Sequence, residues 1–205
     1  MPKILLLECS KAYADPLEIA LKKFDTKITR VRTNEALSKF EKELSRCDGV
    51  AVSGTDFSPG TDRTKNMTPV LRDQQLSIPF LRWAIKKKKP LLGICHGFQM
   101  LVALFGGVLE RKINPQEGIF ETRVICEDPL FRGLPDQFKA YKWRRWYVKK
   151  APVDFIPLAV STESIDAVRH IKLPFYGIQF HPEIKKSDNQ CSLVFKNWLE
   201  GLKKL

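Results

Sequence analysis

The stretch PLLGICHGFQMLVALFGG, residues 90–107, joins two apolar runs through a cysteine that lies between glycines. The first run, residues 91–94, is long enough for a buried strand. The second, residues 98–105, is apolar with a period near 3.6 and ends at a glycine pair, which is a helix stop. The stretch therefore predicts a strand, a sharp turn that carries Cys95, and a helix.

The pattern around this cysteine is G-x-C-x-G, from Gly93 to Gly97. It has the layout of the nucleophile turn G-x-S-x-G, with sulfur in place of oxygen. Such a turn holds the nucleophile above the sheet in a strained conformation, and the following helix aims its N-terminus at the sulfur. A lone cysteine after an apolar strand is also common as a buried core residue, so the assignment needs a second signal.

Length and composition are those of one globular domain covering residues 1–205. Hydrophobic residues make up 43% of the 205 and charged residues 28%. The five cysteines form no C-x-x-C pair, which indicates a reducing compartment and no metal site. The first apolar run is too short for a signal peptide, and the glycines, His96 and Gln99 argue against a membrane helix at residues 91–109. We expect a cytoplasmic protein without a membrane partner.

The net charge is +12 and the isoelectric point is near 9.5, with the basic residues in small groups. A basic balance can indicate nucleic acid, an acidic partner or an anionic substrate. No nucleic-acid motif accompanies the charge, so we favour a lysine-rich solvated surface and do not expect nucleic acid as a partner.

The N-terminal half alternates between strand and helix patterns. Strands are predicted at residues 3–7, 27–31, 48–53 and 91–94. Helices are predicted from an Asp15 cap with Pro16 at the first position, from an Asn34 cap, and over residues 71–88 with a kink or break at Pro79. A long loop is predicted at residues 55–69. This order is typical of an α/β fold with a doubly wound, mostly parallel, flavodoxin-like sheet that binds ligands at the carboxyl ends of its strands.

The sequence pattern changes in the C-terminal half, where it predicts an extra antiparallel strand region. Short strand-like runs lie at residues 108–112, 120–126, 138–143, 155–160 and 167–171. A last strand at residues 174–180 leads into His181-Pro182-Glu183, and a closing helix capped by Asp188 or Asn189 runs through residue 202.

The His-Pro-Glu segment is the second signal. Residues two apart in an extended segment point the same way, so the Glu183 carboxylate can reach the His181 imidazole and fix its tautomer. The strand before His181 is predicted to end on the same sheet edge as the strand before Cys95. A Cys–His–Glu unit follows, in which His181 takes the thiol proton and Glu183 orients the imidazolium.

Together these segments resemble the class I glutamine amidotransferases, and within them a GMP-synthase-like amidotransferase domain. The resemblance is carried by GICHGFQ at residues 93–99 with its following glycine pair and by GIQFHPE at residues 177–183. It includes DGVAVSG at residues 48–54 and PLFRGLP at residues 129–135, and it spans nearly the whole chain.

The resemblance implies a role for each matched residue. Cys95 attacks the side-chain amide carbon of glutamine, and the backbone N–H groups of Gly54 and His96 form the oxyanion hole. Ammonia leaves, a γ-glutamyl thioester remains, and water activated by His181 releases glutamate. Gln99 matches the glutamine-binding residue. The ammonia passes to a synthetase that uses ATP; because this chain has no ATP-binding loop, we expect no cofactor here and a separate ATP-dependent partner.

Two segments depart from the family pattern. The oxyanion turn is SGTDFSPG at residues 53–60, without the usual second glycine and proline. In KWRRWYV, Arg144 and Arg145 replace a neutral pair beside the glutamine pocket, where we place them with Trp146 as substrate-binding residues. If these arginines face outward they form a docking surface for an acidic partner, flanked by Trp143 and Trp146, and we favour that outcome.

Three alternatives remain open from the sequence. If the arginines face the pocket, a γ-glutamyl amide or peptide hydrolase of the same fold is favoured. The altered loops are compatible with a regulatory subunit whose catalysis is weak. The third alternative, a nucleic-acid binder, would show steep salt-dependent retention of DNA or RNA.

Overall fold

A computed structural model describes residues 1–55 and 74–203 of the chain. The helices are α1 (Lys11–Lys22), α2 (Leu37–Arg46), α3 (Gln74–Lys86), α4 (His96–Leu104) and α5 (Leu193–Leu202). The strands are β1 (Lys3–Glu8), β2 (Lys27–Arg32), β3 (Gly49–Val52), β4 (Leu91–Ile94), β5 (Val108–Val124), β6 (Gln137–Lys150), β7 (Phe155–Ser161), β8 (Ser164–His170) and β9 (Phe175–Ile178). A 3-10 turn occupies Pro129–Phe131. Apart from Thr55, the predicted loop at residues 55–69 lies outside the described residues.

The nine strands of the described residues join one sheet in the order β2-β1-β3-β4-β9-β8-β6-β5-β7. The first five strands pair in parallel and the remaining pairs are antiparallel. The predicted α/β fold is confirmed. The expectation of a mostly parallel sheet needs correction, because the antiparallel part contains four strands, two of them 17 and 14 residues long.

The parallel strands other than the edge strand β2 are buried on both faces. In β1, Ile4 and Leu6 pack into a cluster with α1 and α5, whereas Leu5 and Leu7 pack into a second cluster with α2, α3 and α4. Successive side chains of a strand point to opposite faces, so a strand covered by helices on both sides must be apolar throughout. This requirement explains the continuous apolar runs in the sequence.

The antiparallel strands close on themselves. Strand β7 pairs with both β5 and β8, and β6 pairs with the same two strands, which completes a ring of four strands that we call the strand ring. The two short strands predicted at residues 108–112 and 120–126 are parts of the single strand β5. Its register shifts between Arg111 and Gln116, where Pro115 cannot donate a ladder hydrogen bond.

Two helix starts differ from the prediction, and at the first of them the expected cap has another partner. Helix α1 begins at Lys11 after Ser10 and contains Pro16 in its interior. The Asp15 carboxylate does not cap it but accepts a hydrogen bond from Arg30 Nη1 at 2.6 Å. Helix α2 begins after Ala36 rather than Asn34.

The last helices also differ from the expectation. Helix α3 includes Pro79 and continues as one helix through Lys86. Helix α5 begins after Ser192, because the Asn189 side chain, an expected cap, binds backbone carbonyls elsewhere. Within the described ranges, no helix has the length and apolar character needed to cross a membrane.

Candidate active site

Three of the predicted site residues follow neighbouring parallel strands. Gly54 comes after β3, Cys95 after β4 and His181 after β9. The last two strands pair in register at Ile94 and Ile178, and the Cys95 N–H donates to the Ile178 carbonyl at 2.7 Å. The prediction that the strands before Cys95 and His181 end at the same sheet edge is confirmed.

The turn at Cys95 is strained, as its pattern predicts. Cys95 has φ 50° and ψ −97°, a conformation that residues with a side chain rarely adopt. A Cβ on Gly93 would lie 2.6 Å from the carbonyl carbon of Gly97, and one on Gly97 would lie 2.8 Å from the Val52 oxygen. Both glycines are therefore required by backbone packing around the cysteine.

His181 and Glu183 form a buried pair. The Nδ1 and Oε1 atoms are 2.7 Å apart, and both side chains are fully buried. Nε2 makes no hydrogen bond to the described residues, so it is the ring nitrogen that remains for a thiol proton. Burial by itself would lower the pKa of His181, but the charges of Glu183 and Cys95 outweigh it and raise the pKa to about 10.

The imidazole is enclosed by Tyr13, which the sequence did not single out, and by the backbone of Gly54, which it did. The Tyr13 ring lies 4.7 Å from it, centroid to centroid, and stacks on Trp143 at 6.0 Å. A Cβ on Gly54 would lie 2.9 Å from His181 Cε1, so the Gly54 backbone packs directly on the ring. Tyr13 lies in the first turn of α1, the helix that follows β1, and that position near the carboxyl end of a parallel strand is the signal that could have identified it.

Asn189 fixes the turn that carries the pair. Its Nδ2 donates to the carbonyls of His181 and Ile184, each at 2.8 Å. Its Oδ1 accepts from the Tyr141 N–H at 3.1 Å. The His-Pro-Glu segment is thus tied to β6 by a side chain that was expected to cap a helix.

The Cys95 sulfur and the side chain of Gln99, a predicted substrate contact, share Gln179 as a neighbour, and each also contacts a backbone carbonyl of β6. The thiol donates to the Trp143 carbonyl at 3.6 Å, and Gln179 Nε2 lies 3.4 Å from the sulfur. Gln99 Nε2 donates to the Trp146 carbonyl at 2.8 Å and to Gln179 Oε1 at 3.2 Å. The Gln99 amide hydrogens therefore have protein acceptors. Gln179 was missed, although it belongs to the same GIQFHPE motif as His181.

Arg144 does not lie where either prediction placed it. It is 5% exposed, and its Nη1 lies 3.1 Å from Asp166 and 2.5 Å from the Ser164 hydroxyl. Lys142, two residues earlier on β6, lies 2.5 Å from the same carboxylate. Alternation along β6 directs both cations into the strand ring, so the expectation of a docking surface is wrong for Arg144. The Arg145 side chain is half-buried.

His96 and three cysteines near the sheet have altered acidities. Burial lowers the pKa of His96 to about 4, so its side chain is neutral at pH 7. As the first residue of α4, its backbone N–H has no intrahelical acceptor. Burial raises the pKa of the Cys9 thiol to about 12 and also raises that of Cys47 and Cys191. Across the described ranges, no group of three or more metal-ligating side chains comes together.

Comparisons with known proteins identify the family of the chain. The family described as "Glutamine amidotransferase class-I" matches residues 5–200. The chain is 32% identical over 147 residues to a glutamine-hydrolyzing GMP synthase subunit of Methanopyrus kandleri, covering 71% of each chain. It is 31% identical over 164 residues to the protein of the same name from Archaeoglobus fulgidus, covering 80% of each.

Solved structures share the fold. A crystal structure described as a putative GMP synthase subunit from Thermoplasma acidophilum superimposes with a TM-score of 0.83 at 21% identity, covering 100% of this chain and 95% of that one. A glutamine amidotransferase from Thermotoga maritima matches with a TM-score of 0.67 at 18% identity, covering 99% of this chain and 83% of that one. With the family match extending over nearly its whole length, the chain belongs to the class I glutamine amidotransferases.

Proposed function

We propose that Cys95, His181 and Glu183 form a catalytic triad that hydrolyses the side-chain amide of glutamine. The observation that carries the proposal is the buried 2.7 Å pair of His181 and Glu183 at the strand end beside the strained Cys95 turn. A buried carboxylate that fixes the imidazole tautomer and a nucleophile on a strained turn are the parts that acyl transfer needs.

The proposed reaction begins with the thiol proton of Cys95 on His181 Nε2, where the raised pKa of the imidazole favours it. The sulfur attacks the amide carbon of glutamine, and the backbone N–H groups of Gly54 and His96 stabilise the oxyanion. The imidazolium then gives its proton to the departing ammonia and leaves a γ-glutamyl thioester on Cys95. Water, deprotonated by His181, adds to the thioester carbon, and glutamate leaves as the thiol forms again.

We propose that the ammonia passes to a separate synthetase chain. The relatives named as GMP synthase subunits support a partner of that kind, on which the ATP-dependent step would lie. The chain itself would need no cofactor and would act as one cytoplasmic domain. Helices on both faces of the five parallel strands support a doubly wound arrangement of that part of the fold.

The alternative of a γ-glutamyl peptide hydrolase loses part of its support. It required two guanidinium groups facing the substrate pocket, to bind the added carboxylate of a peptide. The Arg144 guanidinium is bound by Gln116, Ser164 and Asp166 inside the strand ring, so at most the Arg145 group is available for such a contact.

The test of the proposed function is covalent labelling with a glutamine-derived electrophile, followed by site-resolved mass spectrometry and a glutaminase assay. We expect Cys95→Ala to abolish both labelling and activity. The matched control is Cys126→Ala, at a partly exposed cysteine that follows the antiparallel strand β5 rather than a parallel strand, which should retain both. Labelling that persists in Cys95→Ala would remove the nucleophile assignment.

A further inference from the structure

We propose that Gln179 is a hydrogen-bond donor to the nucleophile, with its amide orientation set by Gln99. In this role, which rests on the proposed function of Cys95, the Gln179 N–H stabilises the sulfur when it becomes a thiolate. Gln99 then acts as a positioning residue behind the nucleophile, in addition to any contact that it makes with glutamine through its oxygen.

The orientation of the two amides follows from a backbone carbonyl. The Trp146 carbonyl can only accept, so the Gln99 atom 2.8 Å from it must be the nitrogen. The second hydrogen of that nitrogen is directed at the Gln179 side chain at 3.2 Å, so the group facing it must be the Gln179 oxygen. The Gln179 nitrogen is thereby turned toward the Cys95 sulfur at 3.4 Å.

The two partners of the sulfur have opposite effects on its charge. While the sulfur carries its proton, the thiol donates that hydrogen to the Trp143 carbonyl at 3.6 Å. Once His181 has taken the proton, that carbonyl oxygen faces a negative sulfur and repels it. The Gln179 N–H then donates to an anion, and hydrogen bonds to charged acceptors are about twice as strong as neutral ones.

Burial makes this contact effective. Gln179 is 0% exposed and Gln99 is 6% exposed, so water does not compete for their hydrogen bonds, and the low local dielectric strengthens them. The backbone is also held, since the Gln179 N–H donates to the Asp166 carbonyl of β8 at 2.7 Å. Asp166 therefore holds the Gln179 backbone through its carbonyl and binds the two buried cations of the strand ring through its carboxylate.

The experiment measures the pH dependence of Cys95 alkylation by iodoacetamide in the full chain, with each cysteine followed by mass spectrometry. Gln179→Met removes the donor and keeps the length of the side chain. We expect alkylation at pH 7 to slow about ten- to a hundredfold, with the profile displaced to higher pH. The glutaminase kcat should fall by a similar factor while KM stays within about twofold, because the contact is with sulfur and not with substrate.

Gln99→Glu tests the orientation without changing a group that touches the sulfur. A carboxylate at position 99 attracts the Gln179 N–H₂ group, which turns the Gln179 oxygen toward Cys95. We expect slower alkylation in the same direction as for Gln179→Met. This variant also keeps the proposal testable should Gln179→Met fail to fold.

The matched control is Asn197→Leu, which also removes a buried amide that donates to two backbone carbonyls, those of Leu130 and Arg132. It should alkylate at the wild-type rate. Wild-type alkylation in folded Gln179→Met or in Gln99→Glu would overturn the inference, as would a raised KM with unchanged kcat. Failure of the proposed function looks different, because the wild-type chain itself would then not hydrolyse glutamine.

Discussion

The parallel half of the molecule and the strand ring both bury their interiors, but they bury different chemistry. Strands β1 and β4 contribute leucines and isoleucines that are at most 1% exposed. The strand ring instead buries Lys142, Asp166 and Arg144, two cations around one carboxylate. Apolar burial is favourable at any site that excludes water, whereas buried charges persist only when partners are fixed around them. The stability of the strand ring therefore depends on how precisely these charged side chains are placed around one another.

Two histidines of the parallel half show how a charged partner changes the effect of burial on a pKa. His96 is buried at the start of α4, and burial alone lowers its pKa to about 4. His181 is buried as completely, yet the charges of Glu183 and Cys95 raise its pKa to about 10. Burial therefore does not decide the charge of a group; the partner placed beside it does.

The largest effect should come from the triad at the edge of the parallel half. We expect His181→Ala to lower kcat by a factor on the order of 10⁶ and Glu183→Gln by about 10⁴, because the first removes the base and the second only misorients it. Glutaminase kinetics on purified variants provide the measurement, with Glu163→Gln, an exposed site on the loop between β7 and β8, as control. Full activity in His181→Ala would exclude the triad.

A stability measurement addresses the comparison between the two interiors directly. Asp166→Asn leaves two buried cations without their carboxylate and should cost about 3–5 kcal/mol of unfolding free energy. Leu6→Ala in the parallel half should cost about 2–5 kcal/mol by leaving a cavity. Glu163→Gln, which removes an exposed partner of Lys112, should cost less than about 1 kcal/mol. Denaturant titrations give all three; an Asp166→Asn chain as stable as wild type would show that the ring does not depend on its ions.

Acid should weaken the parallel half through His96. Its pKa is about 4 in the folded chain, against an ordinary value of 6.5, so between these values the unfolded state binds a proton that the folded state does not. Stability is therefore lost as pH falls from about 6.5 to about 4, by about 3 kcal/mol in total. Urea unfolding at several pH values measures the loss, which should be smaller in His96→Gln; an equal loss in that variant would refute the assignment.

How much could be predicted from the sequence differs between the two halves for a physical reason. The parallel strands, the Cys95 turn and the His181–Glu183 pair were predictable, because their signals are local: apolar runs, glycines at fixed offsets and residues two apart in one short segment. Helix starts were less predictable. Asp15 and Asn189 have the chemistry of caps but form hydrogen bonds with residues outside their own helices, at Arg30 and Ile184.

The sequence by itself determined the family, the nucleophile turn and the His-Pro-Glu segment, since each is encoded within a few consecutive residues. Tertiary structure decided which other residues surround the nucleophile turn and the His-Pro-Glu segment, and which are buried elsewhere. Arg144 was predicted for a docking surface because a strongly basic chain without its own synthetase machinery needs a partner to dock on, but closure of β5, β6, β8 and β7 placed Asp166 beside it and made burial possible. Gln179 contacts the sulfur because β9 lies next to β4, a pairing between residues more than eighty positions apart that no local pattern records.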